Sequence, residues 1–119
     1  MDDFAWRSRV LVVFCSEVTQ WRAAWTASLD ADSAGLRERD LVALDVDADP
    51  PTVDGRPMHR EDVASLRARF APADDACEVV LVGKDGGEKV RQRDAAVSLA
   101  DLMLAIDAMP MRQQEMRGS

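Results

Sequence analysis

The chain has 119 residues, of which 47% are hydrophobic and 31% charged, and its formal net charge is -7. This length favours one domain with a single hydrophobic core, which needs no disulfide or metal ion to fold. The acidic surplus disfavours nucleic acid as a partner, because surfaces that bind nucleic acid are basic. No apolar run approaches the roughly 20 residues that a transmembrane segment requires.

The first residues do not have the pattern of an export signal. Met1-Asp2-Asp3 is acidic where a signal peptide is basic, and the apolar run at residues 10–14 is too short for its hydrophobic segment. The sequence as written therefore predicts a cytoplasmic protein. If a leader has been removed, the protein is instead periplasmic or secreted.

The first half of the chain contains two apolar runs separated by an amphipathic segment. Residues 9–14 (RVLVVF) and 40–46 (DLVALDV) are nearly all apolar, which is typical of strands buried on both faces. From about residue 17, apolar side chains recur at helical spacing, and we expect this face to cover the sheet. These side chains are Val18, Trp21, Trp25 and Leu29. The helix should break within residues 30–35. Strand, helix and strand at this spacing predict a βαβ unit with parallel strands.

The second half of the chain contains a shorter helix, a hairpin and a closing helix. The shorter helix is expected at residues 61–70, just after the single histidine, His59. The hairpin joins a buried strand at residues 78–82 to an exposed strand at residues 88–93, through the glycine-rich turn at residues 83–87 (GKDGG). A capping box at Ser98 should start the closing helix.

We predict one domain over residues 1–110 and a C-terminal tail over residues 111–119. The closing helix has one apolar face, formed by Leu99, Leu102, Met103, Ile106 and Met109. Pro110 ends this helix, since proline disrupts a helix interior. The tail keeps Met111 and Met116, and methionine side chains adapt to irregular surfaces. They either pack on the domain's own core or offer a surface to a partner.

The element order β-α-β-α-β-β-α predicts an α/β, thioredoxin-like fold. Such a fold has a four-stranded mixed sheet with helices on both faces, and its first strand lies between the second and the third. Two local sequences, LVGKDGGEK at residues 81–89 and IDAMPMRQQEM at residues 106–116, resemble the P-DUDES family. Trp6, Arg9, Phe14, the pair Arg39-Asp40 and residues 66–70 also fit.

The P-DUDES family is a domain of unknown function. It occurs in short bacterial proteins that are often secreted and in vertebrate extracellular sushi-repeat proteins, and it is described as thioredoxin- or peroxiredoxin-like. The resemblance covers nearly the whole chain. It implies the fold, but it brings no agreed activity and no catalytic residue.

The residues that thioredoxin-like enzymes use are missing. Such an enzyme needs a cysteine of low pKa at the start of the first helix. By the resemblance to that fold, the redox pair would stand at Thr19 and Arg22, and the cis-proline before the third strand would stand at Glu78. No cysteine follows Thr19, as a peroxiredoxin would require. We therefore expect no C-x-x-C chemistry and no cofactor.

Two cysteines, Cys15 and Cys77, lie too far apart for a C-x-x-C motif or a zinc-ligand pair. If the hairpin's first strand runs antiparallel to the strand at residues 9–14, both cysteines lie at one edge of the sheet, near where thioredoxin-like folds keep their active site. They are then the candidate catalytic residues, as a disulfide or as exchanging thiols. Alternatively, they are two small buried side chains.

An alternating acidic run follows the second predicted strand. Asp45, Asp47 and Asp49 are the candidate ligands for a divalent metal ion. An EF-hand loop fails here, because its sixth position is Pro50 rather than glycine and its twelfth is Arg56 rather than glutamate. A polar strand end followed by a loop is the simpler interpretation, and we expect no bound metal.

Two functions remain open from the sequence. The first is a non-catalytic thioredoxin-like domain that acts as a binding or interaction module, either for an unidentified protein partner or through self-association. The alternative is an atypical thiol oxidoreductase or peroxidase-like protein that uses Cys15 with or without Cys77. The missing redox residues favour the binding module.

Overall fold

The computed structural model describes residues 7–15, 19–73 and 76–118. Trp6, Val18 and the predicted helix start near residue 17 lie outside these ranges. No helix among the described residues is both long and apolar enough to cross a membrane.

One mixed sheet organises the fold. Its strands are β1 (Arg9–Phe14), β2 (Leu41–Asp45), β3 (Thr52–Val53), β4 (Arg56–Pro57), β5 (Glu78–Val82) and β6 (Glu88–Arg93). The strands lie in the order β4-β3-β2-β1-β5-β6. β1 pairs parallel with β2 and antiparallel with β5. The predicted position of the first strand, between the second strand and the hairpin, is therefore confirmed.

The predicted number of strands was too low, because the sheet has six strands and not four. The loop after β2 folds back as the short antiparallel strands β3 and β4 around Asp54 and Gly55. Both turn residues have positive φ, 48° for Asp54 and 81° for Gly55, a conformation that glycine adopts freely and aspartate tolerates. Strands of two residues are too short to show a period-two pattern, so no periodicity in the sequence indicates them.

Five helices flank the sheet in the described part of the chain. They are α1 (Thr19–Ala31), α2 (Ser33–Glu38), α3 (Arg60–Phe70), α4 (Leu99–Asp107) and α5 (Pro110–Arg117). The expected break after the first helix occurs at Asp32, but the chain resumes at once as α2. Residues 111–117, expected as a tail, are helical, with Pro110 in the first turn of α5. Proline fits there because the first helical N–H groups have no partner within the helix. The domain boundary at residue 110 stays a prediction.

The sheet separates two apolar layers. On one face, β1 and β5 pack with Trp25 of α1 and with Leu102 and Ile106 of α4. On the other face, they pack with Leu66 and Phe70 of α3. Every residue of β1 and β5 is buried, as their continuous apolar sequences predicted. The expected helices on both faces are thus present.

The hairpin of β5 and β6 has the strand bounds that the sequence predicted. Its turn is closed by two backbone hydrogen bonds of 2.9 Å, from the Gly83 N–H to the Gly87 carbonyl and from the Gly86 N–H to the Gly83 carbonyl. The Asp85 carboxylate accepts a third, from the Gly87 N–H at 3.0 Å. Gly86 has a φ of 85°, which only glycine adopts without strain. The turn's composition is therefore explained by its geometry.

Candidate functional site

A disulfide bond joins Cys15 to Cys77, whose Cα atoms lie 4.2 Å apart. Cys15 directly follows β1 and Cys77 directly precedes β5. The two strands are antiparallel, with Phe14 opposite Glu78, so the end of one meets the beginning of the other. The structure thus brings together the two cysteines that the strand directions placed at one edge. A catalytic role for them stays a prediction.

Both cysteines are buried, with exposed fractions of 0% for Cys15 and 3% for Cys77. They belong to the apolar layer that also contains Trp25 and Leu102. Thiol–disulfide exchange requires a thiolate to attack one sulfur directly. The folded chain offers an incoming thiolate almost no sulfur surface.

Asp94, the first residue after β6, fixes the backbone around the disulfide. Its carboxylate accepts a hydrogen bond from the Cys77 N–H at 2.9 Å, and its own N–H donates to the Cys77 carbonyl at 2.7 Å. The Asp94 carbonyl accepts a third from the Trp21 indole at 3.1 Å. Asp94 has a φ of 52°. It was not among the predicted site residues, and the available signal was an aspartate at the end of a polar strand, where it favours a turn.

Arg22 stands at one of the two positions where a redox pair was considered, and it forms an ion pair instead. Its guanidinium donates to the Cys15 carbonyl and to Asp45 Oδ2, both at 2.5 Å. The other oxygen, Asp45 Oδ1, is buried and has no hydrogen-bond partner in the described structure. A guanidinium is a permanent donor and supplies no nucleophile. Arg22 therefore adds positive charge beside the disulfide but no redox group.

The acidic run after β2 is not gathered into a metal site. Asp45 is paired with Arg22 of α1, whereas Asp47 is paired with Arg67 of α3. Asp49 is exposed. Across the residues that the structure describes, no group of three or more His, Cys, Asp or Glu side chains could hold a metal ion. The arginines occupy the carboxylates that a cation would need.

Glu78, the residue at the place of the fold's usual cis-proline, is fully buried at 0% exposure. Its carboxylate forms ion pairs with Arg91 at 2.9 Å and Arg93 at 2.8 Å. Successive residues of a strand point to opposite faces, so Glu78 lies on the α3 side of the sheet and Cys77 on the other. Glu78 therefore binds β6 to β5 and does not contact the disulfide layer. His59, at the N-cap position of α3, is exposed and makes no side-chain capping hydrogen bond.

A groove of about 590 Å³ lies between α1 and the segment that leads from β6 into α4. Trp21, Trp25 and Asp94 are among its lining residues. The two indole rings stack with centroids 5.9 Å apart and an interplanar angle of 17°. Trp25 is buried in the core and Trp21 packs against it, so the predicted covering role of this helix face is confirmed. The groove thus combines an aromatic wall with a carboxylate next to Cys77.

A second charged feature, the ion-pair cluster, lies at the opposite end of the sheet, where β1 and β2 begin and β5 ends. Its cations are Arg9, Arg39, Lys84 and Arg112, and its anions are Glu38, Asp40, Asp107 and Glu115. Arg9 and Arg112 are only 1% and 4% exposed. Charges at such depth are tolerated only when they are paired and hydrogen-bonded, and here four cations face four anions.

Glu115 of α5 is the most highly coordinated anion of the cluster. Arg9 donates to it with both terminal nitrogens at 3.1 Å, and Lys84 Nζ donates to Oε2 at 2.8 Å. Arg112 Nη1 lies 3.8 Å from Oε1. Burial raises the pKa of Glu115, but the hydrogen bonds from Arg9 and Lys84 outweigh it and hold the pKa below its ordinary value. The carboxylate is therefore ionised at neutral pH.

Asp107, at the end of α4, is the second junction of the cluster. Arg39 donates to it from Nε at 3.0 Å and from Nη2 at 2.9 Å, and Arg112 donates from Nε at 3.2 Å. The hydrogen bond from Arg39 is the main cause that lowers the pKa of Asp107, against the opposing effect of burial. Arg112 also donates to the Glu38 carbonyl and carboxylate. The cluster thereby joins α2, α4 and α5.

Several charged residues that gave the sequence its family resemblance converge on this cluster. Lys84 comes from the GKDGG turn, and Asp107 and Arg112 come from the IDAMPMR segment. Arg9 and the pair Arg39-Asp40, which also fitted the resemblance, belong to it as well. The hairpin turn and the C-terminal motif are therefore two parts of one charge network, although the sequence separates them.

The sheet order and the helices on both faces define a thioredoxin-like α/β domain. Comparison with solved structures agrees with this class. The chain is similar to the reduced 2-Cys peroxiredoxin of Plasmodium vivax, with a TM-score of 0.68 and 19% identity over 96% of this chain and 84% of that chain. At this identity the similarity shows the fold alone.

The family is shown by a sequence model. The model for the Domain of unknown function (DUF4174) matches residues 1–115, and the chain belongs to this family. A comparison with curated proteins found no match.

Proposed function

We propose that this chain is a non-catalytic thioredoxin-like domain that acts by binding, and that its Cys15–Cys77 disulfide is a structural cross-link. One observation carries the proposal: the bond lies within the apolar layer, with 0% exposure at Cys15 and 3% at Cys77. Arg22 supports it, because the position that would hold a redox cysteine holds an ion pair with Asp45.

A cross-link at this place has a clear physical benefit. It joins residues 62 positions apart and so restricts the unfolded chain, which by chain entropy contributes about 4 kcal/mol to stability. It also holds the end of β1 against the start of β5, the two most buried strands. The proposed role of this buried disulfide is therefore to stabilise the fold.

We further propose that the protein works in an oxidising compartment, either the periplasm or the exterior of the cell. Disulfides form and persist there, whereas cytosolic thiols are kept reduced. The resemblance of residues 81–89 and 106–116 to the often secreted P-DUDES proteins supports the same assignment. We accordingly propose that this DUF4174 chain is a P-DUDES protein.

The binding proposal names two kinds of partner, a different protein or a second copy of the chain. The groove beside Trp21 and Asp94 supports a binding role, since it joins an aromatic wall to polar groups, as ligand sites do. Light scattering after gel filtration tests self-association. A mass that increases between micromolar and millimolar concentration supports self-association. A constant monomeric mass would exclude it, and the proposed partner is then a different protein.

The competing function is thiol oxidoreductase or peroxidase-like chemistry at Cys15 and Cys77. Its motive is the disulfide itself, together with the name of the structural neighbour, a 2-Cys peroxiredoxin. Native chain is incubated with reduced glutathione and the intact mass followed, with guanidinium-unfolded chain as the accessible control. We expect reduction only after unfolding. Rapid reduction of the native chain, with repeated peroxide turnover that Cys15→Ser abolishes, would establish the enzyme instead.

A further inference from the structure

We propose that Arg9 and Lys84 form a carboxylate-binding site, that Glu115 fills this site from within the same chain, and that an external carboxylate can displace it. The geometry of the internal occupant shows what the site accepts. Both terminal nitrogens of Arg9 meet both oxygens of one carboxylate at 3.1 Å, and Lys84 adds a bond of 2.8 Å. A planar guanidinium fork with a second cation binds oxyanions such as carboxylates and phosphates at two points, and the occupant here is a carboxylate.

The site is held in place by groups other than Glu115. Arg9 is 1% exposed, and its Nη1 also donates to the Arg39 carbonyl at 2.9 Å, which fixes the guanidinium. Lys84 Nζ is held from its other side by Asp40 at 2.8 Å. Arg9, the first residue of β1, and Lys84, in the turn after β5, thus each keep a hydrogen bond that does not involve Glu115. They therefore remain in place when the carboxylate leaves.

Within the described part of the chain, removal of Glu115 leaves the guanidinium of Arg9 without an ion-pair partner. Among the described residues, Glu115 is the one carboxylate that forms an ion pair with Arg9. An unpaired guanidinium at this depth is strongly unfavourable, because desolvation is no longer offset by an opposite charge. A vacated site will consequently attract another anion.

The internal occupant is on an element that can open locally. Glu115 lies in the last turn of α5, which ends at Arg117. Arg112 is the buried residue of this helix, and it is anchored separately through Asp107 and Glu38. Terminal helical turns open at low free energy. Glu115 can therefore leave with the last turn while the first turn of α5 stays docked.

The first experiment measures whether the vacated site takes an external carboxylate. Glu115→Ala is melted at neutral pH in increasing sodium acetate, with sodium chloride adjusted to keep ionic strength constant. We expect its melting temperature to rise along a saturation curve, since a ligand that binds the folded state stabilises it. Glu88→Ala is the matched control, because it removes a carboxylate that pairs with Arg91 outside the cluster. It and the unmodified chain should show the same, much smaller rise at higher acetate concentration, because in both the acetate has to displace Glu115.

Other outcomes decide against the proposal. Equal responses of Glu115→Ala and Glu88→Ala to acetate would overturn the site. A larger rise with inorganic phosphate than with acetate would overturn its preference for carboxylates.

If Glu115→Ala is unfolded without acetate, recovery of its circular dichroism in acetate supports the site and a lack of recovery overturns it. Adding Lys84→Gln to Glu115→Ala should raise the acetate concentration at half-saturation several-fold.

A second experiment tests displacement in the unmodified chain. Hydrogen exchange is followed at the amides of residues 113–117 in acetate and in chloride of equal ionic strength. We expect exchange in this turn to accelerate in acetate while the amides of β1 and β5 stay protected. Unchanged exchange at residues 113–117 would refute displacement, even if the vacated site binds acetate.

Discussion

Arg9, the first residue of β1, holds Glu115 of the last helix in a two-point ion pair across 106 positions of sequence. The pair connects the central strand of the sheet to the C-terminal helix. Arg112 is the buried residue of α5, whereas Met111 is half-buried and Met116 is 42% exposed, so ion pairs rather than an apolar face attach this helix to the domain. The ion-pair cluster is therefore a structural counterpart, at the opposite end of the sheet, of the Cys15–Cys77 disulfide.

Substitution of Arg9 should be strongly destabilising. Arg9→Gln removes a charge that is 1% exposed and leaves Glu115 with less compensation, so we expect a loss of about 3 kcal/mol in the free energy of unfolding. Urea unfolding followed by circular dichroism measures it. The control is Arg7→Gln, two residues earlier and exposed, which should change stability by less than about 0.5 kcal/mol. Equal losses for the two variants would contradict the structural role of Arg9.

The ion-pair cluster also predicts acid sensitivity. The pKa values of Asp107 and Glu115 are lower in the folded chain than their ordinary values. A carboxyl with a depressed folded pKa contributes stability that is complete above its unfolded pKa, near about pH 4, and that is lost as the pH falls through the folded pKa. The urea concentration at the unfolding midpoint, measured from pH 7 to pH 2, should therefore decrease once the pH is below about 4. Asp107→Asn should be less stable at pH 7 and show a shallower fall. If the urea midpoint of Asp107→Asn decreased with acid as steeply as that of the unmodified chain, Asp107 would not contribute to the acid sensitivity.

Removal of the disulfide should cost stability without changing the fold. Cys15→Ala with Cys77→Ala frees the unfolded chain over 62 residues, and we expect a loss of about 4 kcal/mol. Guanidinium unfolding of the oxidised chain, the reduced chain and the double variant provides the measurement. The reduced chain and the double variant should agree within about 1 kcal/mol. If the double variant is as stable as the oxidised chain, the bond is not a structural cross-link.

Asp94 should be important through its backbone geometry as well as its carboxylate. Asp94→Ala loses the hydrogen bond to the Cys77 N–H and places alanine at a φ of 52°, so we expect it to destabilise by about 2 kcal/mol. Asp94→Asn keeps an acceptor oxygen and a residue that tolerates positive φ, and it should lose less than half as much. Urea unfolding ranks the two variants. An asparagine variant as unstable as the alanine variant would show that the charge is what the site requires.

The central sheet could be predicted from the sequence, because burial of its strands is visible as consecutive apolar residues. β1 and β5 are buried on both faces, so each is a run of apolar residues after its first residue, and the GKDGG turn marks where the chain reverses after β5. The closing helix was predicted for a similar reason. Its residues Leu102, Met103 and Ile106 repeat at helical spacing, and Ser98 accepts the capping hydrogen bond from the Asp101 N–H.

Other parts were not accessible from a local pattern. β3 and β4 have two residues each, too few to show a periodicity. The helix α5 has no continuous apolar face, because Arg112 is its buried residue. Asp94 could not be identified from the sequence, because a single aspartate at a strand end is common and its partners, Cys77 and Trp21, are remote from it along the chain.

By itself, the sequence determined the long apolar strands, the order of the main elements and the absence of a C-x-x-C pair, because each depends on neighbouring residues. The segments that resemble the P-DUDES family also contain Lys84, Asp107 and Arg112, but the sequence indicated no role for these residues. Only the tertiary structure decided that these residues meet and that Glu115 is the anion shared by Arg9 and Lys84. It also decided that Cys15 and Cys77 are bonded inside the core. The physical reason is that charge pairing and cross-linking depend on distance in space, which chain folding sets between residues that are remote in sequence.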